Sequence, residues 1–231
     1  MSILGFDTAT QRVTVGLGLG GQVLGTRSLA VDRQHAEQLV PTIRDLCQES
    51  SIELSSLEVI AVGLGPGLFT GLRVGITTAR TMAQALGIPV VGVSSLDLVA
   101  HPLVGIGRPV VVVANARRNE IYCARYIPTK DGMRREGDYE VLPPDVLAAE
   151  LAENDDQCLV VGDGVLTHAD AFAKCDCVES DDDQAMYPSA ASLVAIADVR
   201  MRRQEFCDPC DVHALYLRRS DAEIEWDRKG R

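Results

Sequence analysis

The chain has 231 residues, of which 46% are hydrophobic, 24% charged and 4% aromatic. This composition is typical of a globular protein large enough for one domain or two lobes. The formal net charge of −11 repels nucleic-acid phosphates, which argues against tight nucleic-acid binding by the chain alone. No apolar run approaches the roughly 20 residues that cross a bilayer. The start, MSILGFDTAT, lacks an export signal, so we expect a cytoplasmic protein with no membrane partner.

Arginine pairs occur at four places in the sequence, namely Arg117–Arg118, Arg134–Arg135, Arg202–Arg203 and Arg218–Arg219. Because the pairs are dispersed and no continuous basic stripe emerges, most of them are interpreted as solvated surface.

The first third of the chain predicts an α/β layer. Strand patterns at 3–6, 12–19 and 22–31 are joined by a turn at Gly20–Gly21. An apolar stripe at helical spacing follows, with Asp32 as its N-cap and a kink or broken turn expected at Pro41. The members of this stripe are Ala36, Leu39, Val40, Ile43, Leu46 and Cys47.

Strands and helices then alternate. The sequence predicts a strand at 57–64, a helix at 70–86, a strand at 88–93 and a helix from 94, capped by Ser94 or Ser95. Such alternation favours an α/β fold whose ligand face lies at the ends of the strands.

A second lobe is expected after the linker HPLVGIGRP at 101–109. Beyond it the patterns predict paired strands at 109–116 and 120–127, a helix at 144–153, a strand at 158–164 and a last amphipathic helix at 189–203. The acidic run at 179–184 is interpreted as a solvated loop. We therefore divide the chain into lobes at 1–105 and 106–231, with the last helix a candidate to pack back on the first lobe.

Two glycine-rich segments suggest phosphate binding. GLGLGG at 16–21 matches the dinucleotide fingerprint formally, but a hairpin follows it instead of a helix, so that interpretation is rejected. GLGPGLFTGLRVG at 63–75 does open a helix, with Thr70 as the predicted cap, and free amides there can bind an anion. Phosphate binding and a tight strand-to-helix turn remain equal alternatives. The candidate nucleotide or phosphate loop comprises Asp7, Thr8, Gly65, Pro66, Gly67, Phe69, Thr70 and Gly71.

The seven cysteines include two pairs with metal-like spacing, Cys175 with Cys177 and Cys207 with Cys210, and His213 lies nearby. A zinc site would require the fold to unite the pairs. The simpler interpretation, which we adopt, is free thiols and no metal.

Four segments carry a resemblance to a known family: FDTAT at 6–10, GPGLFTGLRVG at 65–75, ARRNEIYCA at 116–124 and LYLRRSDA at 215–222. Together they resemble the TsaB (YeaZ) family. The resemblance implies the two-lobed actin/Hsc70/sugar-kinase (ASKHA) fold, each lobe a mixed sheet with flanking helices and the second lobe reduced. It also implies a non-catalytic, dimerising subunit of the complex that places threonylcarbamoyl on an adenosine beside the tRNA anticodon.

The resemblance also implies partners and cofactors, and this chain differs from the family at two polar positions. The implied partners are the catalytic TsaD subunit, the small ATPase TsaE, a second copy of the chain in isolation, and tRNA through the complex. ATP and a metal would belong to the assembled complex. The family commonly has Ser where this chain has Leu68, and Asp where it has Asn115, which weakens a nucleotide-site hypothesis.

The sister catalytic family has two metal-binding histidines four residues apart after a Gly-Val strand end. Aligned on Gly92–Val93, those positions here are Ser95 and Val99, which cannot replace imidazoles. His101 lies about 200° around a helix from the matching face. The resemblance therefore implies no metal centre and no catalytic residue in this chain.

A subunit interface is the remaining hypothesis for the glycine-containing helix. Leu72, Ile76, Ala79, Ala83 and Leu86 form its core stripe. Small residues on another face permit close approach of a partner helix, or close packing on the chain's own sheet. The candidate interface residues are His35, Leu39, Gly71, Arg73, Gly75, Thr78 and Met82. Two enzyme alternatives stay open: an independent nucleotide-dependent phosphotransferase or ATPase that uses Asp7, and a metallopeptidase-like hydrolase.

Overall fold

The computed structural model of the chain consists of two lobes, each built on one sheet. It describes residues 1–31, 34–153, 158–173, 175, 177 and 185–218. The first sheet has five strands in the order β3-β2-β1-β4-β5, and the second has four in the order β8-β7-β6-β9. The first-lobe elements are β1 Ser2–Asp7, β2 Arg12–Leu19, β3 Gln22–Ala30, α1 His35–Glu49, β4 Val59–Gly63, α2 Phe69–Leu86, β5 Val90–Val93 and α3 Ser95–Ala100.

The second lobe adds four strands and shorter helices. Its elements are β6 Val110–Arg117, β7 Glu120–Thr129, β8 Gly132–Leu142, α4 Pro144–Glu153, β9 Leu159–Val161, α5 Asp163–Thr167, α6 Ala169–Phe172 and α7 Ala190–Arg202. In both sheets, strands joined directly by a hairpin turn pair antiparallel, whereas strands connected through a helix pair parallel. This confirms the expected two-lobed α/β fold with mixed sheets. The sequence patterns missed β8, α5 and α6.

Helix α1 differs from the prediction at Pro41 and in the width of its core face. It runs from His35 to Glu49 through Pro41 without a break, and Asp32, its predicted cap, lies outside the described residues. Of the predicted stripe, Val40 is 57% exposed and Ala36 is also exposed, so the core face of the helix is narrower than its apolar pattern.

The central strands β1 and β4 of the first sheet are buried on both faces, whereas the edge strand β3 is mostly exposed. Helices α1 and α2 cover one face, around Phe6, Leu39 and Ile76. Helices α3 and α7 cover the other, around Ile3, Leu98 and Leu193. Helix α7, expected to pack back on the first lobe, therefore contributes to the core of that lobe.

The glycines of GLGLGG make room for α7. A Cβ atom on Gly18 would lie 2.3 Å from Val194 Cγ1, and one on Gly16 would lie 2.9 Å from the carbonyl oxygen of Ala190. Both glycines lie in β2 of a hairpin, so the segment that matched a dinucleotide fingerprint is a helix-packing surface.

The segment expected to be a linker is ordered. Residues His101–Ile106 form a 3-10 helix with Leu103 buried, and the acidic run at 179–184 lies outside the described residues. Within the described part of the chain, no helix is both long and apolar enough to cross a membrane.

Candidate functional site

The GPG loop is held by its own chain. The N–H of Leu68 donates to the carbonyl oxygen of Ala9 at 2.7 Å, and the N–H of Gly65 donates to Ser95 Oγ at 3.1 Å. A Cβ on Gly67 would lie 2.2 Å from the same Ala9 carbonyl oxygen. The loop thus packs directly on the turn after β1, and the carbonyl oxygen of Ala9 lies against Gly67 and Leu68.

The first two turns of α2 repeat this close packing. A Cβ on Gly71 would lie 2.0 Å from the carbonyl oxygen of Thr8, and one on Gly75 would lie 2.3 Å from Thr8 Oγ1. The Thr8 hydroxyl donates to the carbonyl oxygen of Gly71 at 2.8 Å. Gly71 and Gly75 therefore allow α2 to pack closely on the turn after β1 of the same chain, in agreement with the close-packing alternative.

The predicted cap of α2 is wrong. The helix begins at Phe69, with Leu68 in the N-cap position and no side chain bonded to the free amides. Thr70 is exposed and Phe69 is 36% exposed.

Pro66, joined to Gly65 by a cis peptide bond, lines a cavity between the lobes.

Asp7 is buried at the end of β1, and both of its carboxylate oxygens accept hydrogen bonds from the protein. Its Oδ2 accepts a hydrogen bond from Ser95 Oγ at 2.5 Å, and its Oδ1 accepts one from the N–H of Ala9 at 2.8 Å. Burial raises the pKa of Asp7 above its ordinary value, and the two hydrogen bonds offset part of the rise. Asp7 and Ser95 together tie β1 to α3 and to the GPG loop.

The two positions that align with the sister family's histidines both point into the protein. Ser95 is 2% exposed and bonds Asp7, and Val99 is 4% exposed and packs in the apolar core of the second lobe. Neither is open to a ligand. His101 bonds Ser192 Oγ at 3.0 Å, on α7. Among the described residues, no group of three or more His, Cys, Asp or Glu side chains is arranged to hold a metal ion.

One small cavity lies between the lobes beside the GPG loop. This cavity, lined by Thr10, Pro66, Ser95 and Asp163, measures about 10 Å³, which is the room of one water molecule. Ligand pockets for small molecules typically measure about 300–1,000 Å³. This cavity is therefore too small for a nucleotide.

Asp163 begins α5 on the second-lobe side of that cavity. Burial raises its pKa to about 6, against the opposing effect of the N–H of Asn115, which donates to Asp163 Oδ1 at 3.1 Å. Sequence reasoning missed this residue, because GDG at 162–164 was assigned to the end of a strand.

The two cysteine pairs with metal-like spacing lie in different parts of the fold, and Cys210 is exposed. Cys175 and Cys177 pack beside the second-lobe cluster, whereas Cys207 packs against the first-lobe cluster. All seven cysteines are free thiols. The fold thus keeps apart the two pairs that a shared zinc site would have to unite.

Most of the candidate interface residues are internal. Leu39 is 0% and His35 is 5% exposed, and His35 Nε2 lies 2.8 Å from the carbonyl oxygen of Thr10. Gly71 and Gly75 are buried against Thr8, so these four have no side-chain surface to offer a partner.

Other residues form the outer surface of α1 and α2. Arg73 is exposed, and Thr78 and Met82 are partly buried. Val40 on α1 presents an apolar side chain to solvent. We call the exposed side of the two helices, carrying Val40, Arg44, Arg73 and Thr77, the outer α1–α2 face.

Comparisons with known proteins agree with this architecture. A family model described as TsaD, a tRNA N6-adenosine threonylcarbamoyltransferase, matches residues 25–226. TsaB from Escherichia coli, described as a tRNA threonylcarbamoyladenosine biosynthesis protein, is 30% identical over 203 residues, covering 85% of this chain and 86% of that protein. The chain belongs to the TsaB (YeaZ) family.

Two further members of the comparison support this assignment. A solved structure of YeaZ from Pseudomonas aeruginosa is 28% identical, covers 93% of this chain and 100% of that one, and superposes with a TM-score of 0.79. An uncharacterized protein from Mycobacterium tuberculosis is 38% identical over 224 residues, covering 96% of this chain and 94% of that protein. The resemblance seen in the four sequence segments is therefore confirmed over nearly the whole chain.

Proposed function

We propose that this TsaB-family chain supports the formation of threonylcarbamoyladenosine in tRNA as a non-catalytic subunit. Two descriptions point to this pathway: that of the Escherichia coli relative, a biosynthesis protein for this nucleoside, and that of the matching family model, a threonylcarbamoyltransferase. The subunit acts by pairing with a TsaD-type catalytic subunit, and a TsaE-type ATPase completes the assembly.

The observation that carries the non-catalytic role is the inward engagement of Ser95 and Val99. The Ser95 hydroxyl donates a hydrogen bond to Asp7 and accepts one from the N–H of Gly65. Val99 has no atom that can bind a metal. The neighbouring cavity has room for about one water. These observations support our proposal that ATP and the metal of the reaction are bound by the assembled complex and that the chain contributes no cofactor site of its own.

The outer α1–α2 face is the proposed pairing surface. Val40 is 57% exposed on α1, and Arg44 lies one turn further along the same helix. Arg73 and Thr77 have the same spacing on α2. An exposed apolar residue beside arginines matches the composition of interface patches. The same face would pair two copies of the chain in isolation.

Reconstitution tests the proposal. The tRNA-modification reaction is assembled from the TsaD-type subunit, the ATPase, ATP and tRNA, with and without this chain, and then with this chain as the sole protein. We expect modification only in the full mixture. Modification without the chain, or by the chain alone, would overturn the proposal, as would magnesium-dependent ATP hydrolysis by the pure chain that Asp7→Ala abolishes.

A matched pair of variants tests the surface. Val40→Glu places a charge on the outer α1–α2 face, whereas Val199→Glu makes the same change on α7, where the valine is 45% exposed. We expect Val40→Glu alone to reduce binding to the TsaD-type subunit by about tenfold or more, and to shift the free chain from dimer to monomer in light scattering. Equal behaviour of the two variants would reject this face.

A further inference from the structure

The fold brings together arginines from two pairs that are distant in the sequence. Arg218 donates to the carbonyl oxygen of Ala116 at 2.7 Å, and its guanidinium lies 3.3 Å from the carboxylate of Glu120. These two partners flank the turn that carries Arg117 and Arg118. Although the arginine pairs are dispersed in the sequence and were interpreted as solvated surface, Arg218 lies beside the turn that carries Arg117 and Arg118 in the fold.

The turn itself is an unfavourable place for arginine. Arg117 pairs with Glu120 in the β6–β7 register, so Arg118 and Asn119 form a two-residue hairpin loop, with φ angles of 51° and 60°. Such loops need positive φ at both positions and favour Asn-Gly, because a Cβ is strained there. Strained backbone concentrates at functional sites, and here it presents two exposed cationic side chains at the tip of a hairpin.

An exposed aromatic pair lies close to Arg218 along the chain. Tyr216, two residues before Arg218, is 48% exposed. Its ring centroid lies 5.4 Å from that of Phe69, and the guanidinium of Arg73 stacks over Phe69 at 3.9 Å. We call the surface formed by the exposed residues Arg117, Arg118, Tyr216 and Phe69 the arginine–aromatic strip. Arg218, whose side chain is only 13% exposed, supports the Arg117–Arg118 turn from beneath.

We propose that the arginine–aromatic strip is an RNA-binding surface of this subunit, which contacts the phosphates and an unpaired base of the tRNA in the assembled complex. This inference rests on the proposed function. Guanidinium groups bind phosphates and stack on bases, and exposed aromatic rings stack on unpaired bases. The chain carries a net charge of −11, so a cationic hairpin tip is a local exception that would orient the RNA on an otherwise repelling surface.

The strip combines two kinds of contact, which two sets of variants separate. Arg117→Ala with Arg118→Ala removes two phosphate contacts. The matched control, Arg202→Ala with Arg203→Ala, removes the same charge at the end of α7. In the reconstituted complex, we expect the first pair to weaken tRNA binding about tenfold and to reduce the slope of log K against log salt by about 1 to 2. The control should change neither quantity to this extent.

Two single substitutions sharpen the test. Arg118→Gly relieves the backbone strain, so it should raise the unfolding midpoint of the chain while it weakens tRNA binding. A purely structural role for Arg118 cannot produce these opposite effects. Tyr216→Ala should weaken tRNA binding about tenfold, whereas Tyr216→Phe keeps the stacking surface and should bind as the unchanged protein does.

The outcomes distinguish this inference from the proposed function. If the chain is required for modification but the strip variants leave tRNA affinity and its salt dependence unchanged, the inference is wrong and the proposed function stands. If the variants instead weaken binding to the TsaD-type subunit, with tRNA affinity of the assembled complex unchanged, the strip is a protein interface and the inference is also wrong. If the tRNA is modified equally well without the chain, the proposed function is wrong, whatever the strip variants do.

Discussion

Ser95 donates its hydroxyl hydrogen to the buried carboxylate of Asp7 across 2.5 Å, and the same oxygen accepts the N–H of Gly65. One side chain thus joins the end of β1, the start of α3 and the GPG loop. Asp7 is 1% exposed, so no solvent replaces a lost partner.

We expect Ser95→Ala to lower the free energy of unfolding by about 1–3 kcal/mol, because a buried polar group left without its partner costs about that much. Denaturant unfolding measures the change. In an Asp7→Ala background the same substitution should cost less, since one of its two hydrogen bonds is already absent. Equal costs in both backgrounds would show that the Asp7–Ser95 bond does not stabilise the fold.

The raised pKa of Asp163 predicts a pH dependence. Its native pKa is about 6 and its ordinary value is 3.8, so the native state holds this proton more tightly than the unfolded chain. Stability from this group is therefore highest at low pH and falls as the pH rises from about 4 to about 6. Asp163→Asn keeps an oxygen that can accept the N–H of Asn115 and removes the titration.

The measurement is the difference in unfolding free energy between Asp163→Asn and the unchanged protein at several pH values. We expect this difference to shift in favour of the variant between pH 4 and 6 and to level off above. Asp131→Asn, which removes an exposed carboxylate in a hairpin turn, is the control. A flat difference for Asp163→Asn would contradict the assigned pKa.

Local patterns predicted the first lobe well because its signals are local. Alternation and turn glycines placed β2 and the hairpin correctly, and helical spacing placed α2 within one residue. The same local patterns failed where the role of a residue depends on contacts with distant parts of the chain. The role of Gly16 as space for Ala190 on α7 depends on a helix far along the chain, and the pattern of α1 did not show that Val40 would face solvent.

The candidate site followed the same rule. The sequence located Asp7 and the GPG loop, but not that Ser95 would occupy the carboxylate or that carbonyl oxygens would face the glycines. The meeting of Arg218 with the Arg117–Arg118 turn depends on contacts across 102 residues, which no local pattern reports.

Gly75 is predicted to be needed inside this chain and not only at an interface. A Cβ there would lie 2.3 Å from Thr8 Oγ1, so Gly75→Ala should lower the free energy of unfolding by about 1–3 kcal/mol. Thr8→Ala removes the obstructing hydroxyl. In a double-mutant cycle we therefore expect the two changes together to cost less than the sum of their separate effects. Additive costs would place the conflict elsewhere, and an unchanged stability for Gly75→Ala would show that the contact is loose.

Thr14 is predicted to be a position where the natural residue limits stability. Its side chain is 4% exposed, and its hydroxyl oxygen has no hydrogen-bond partner among the described residues. Thr14 lies opposite Asp7 in the β1–β2 register. Valine has nearly the same shape, favours strands and buries no unpaired hydroxyl. We expect Thr14→Val to raise the free energy of unfolding by about 1 kcal/mol, and Thr14→Ser, which keeps the hydroxyl and loses a methyl group, to lower it. If Thr14→Val is the less stable variant, the hydroxyl has a partner in solution, and the polar surroundings of Asp7 extend into β2.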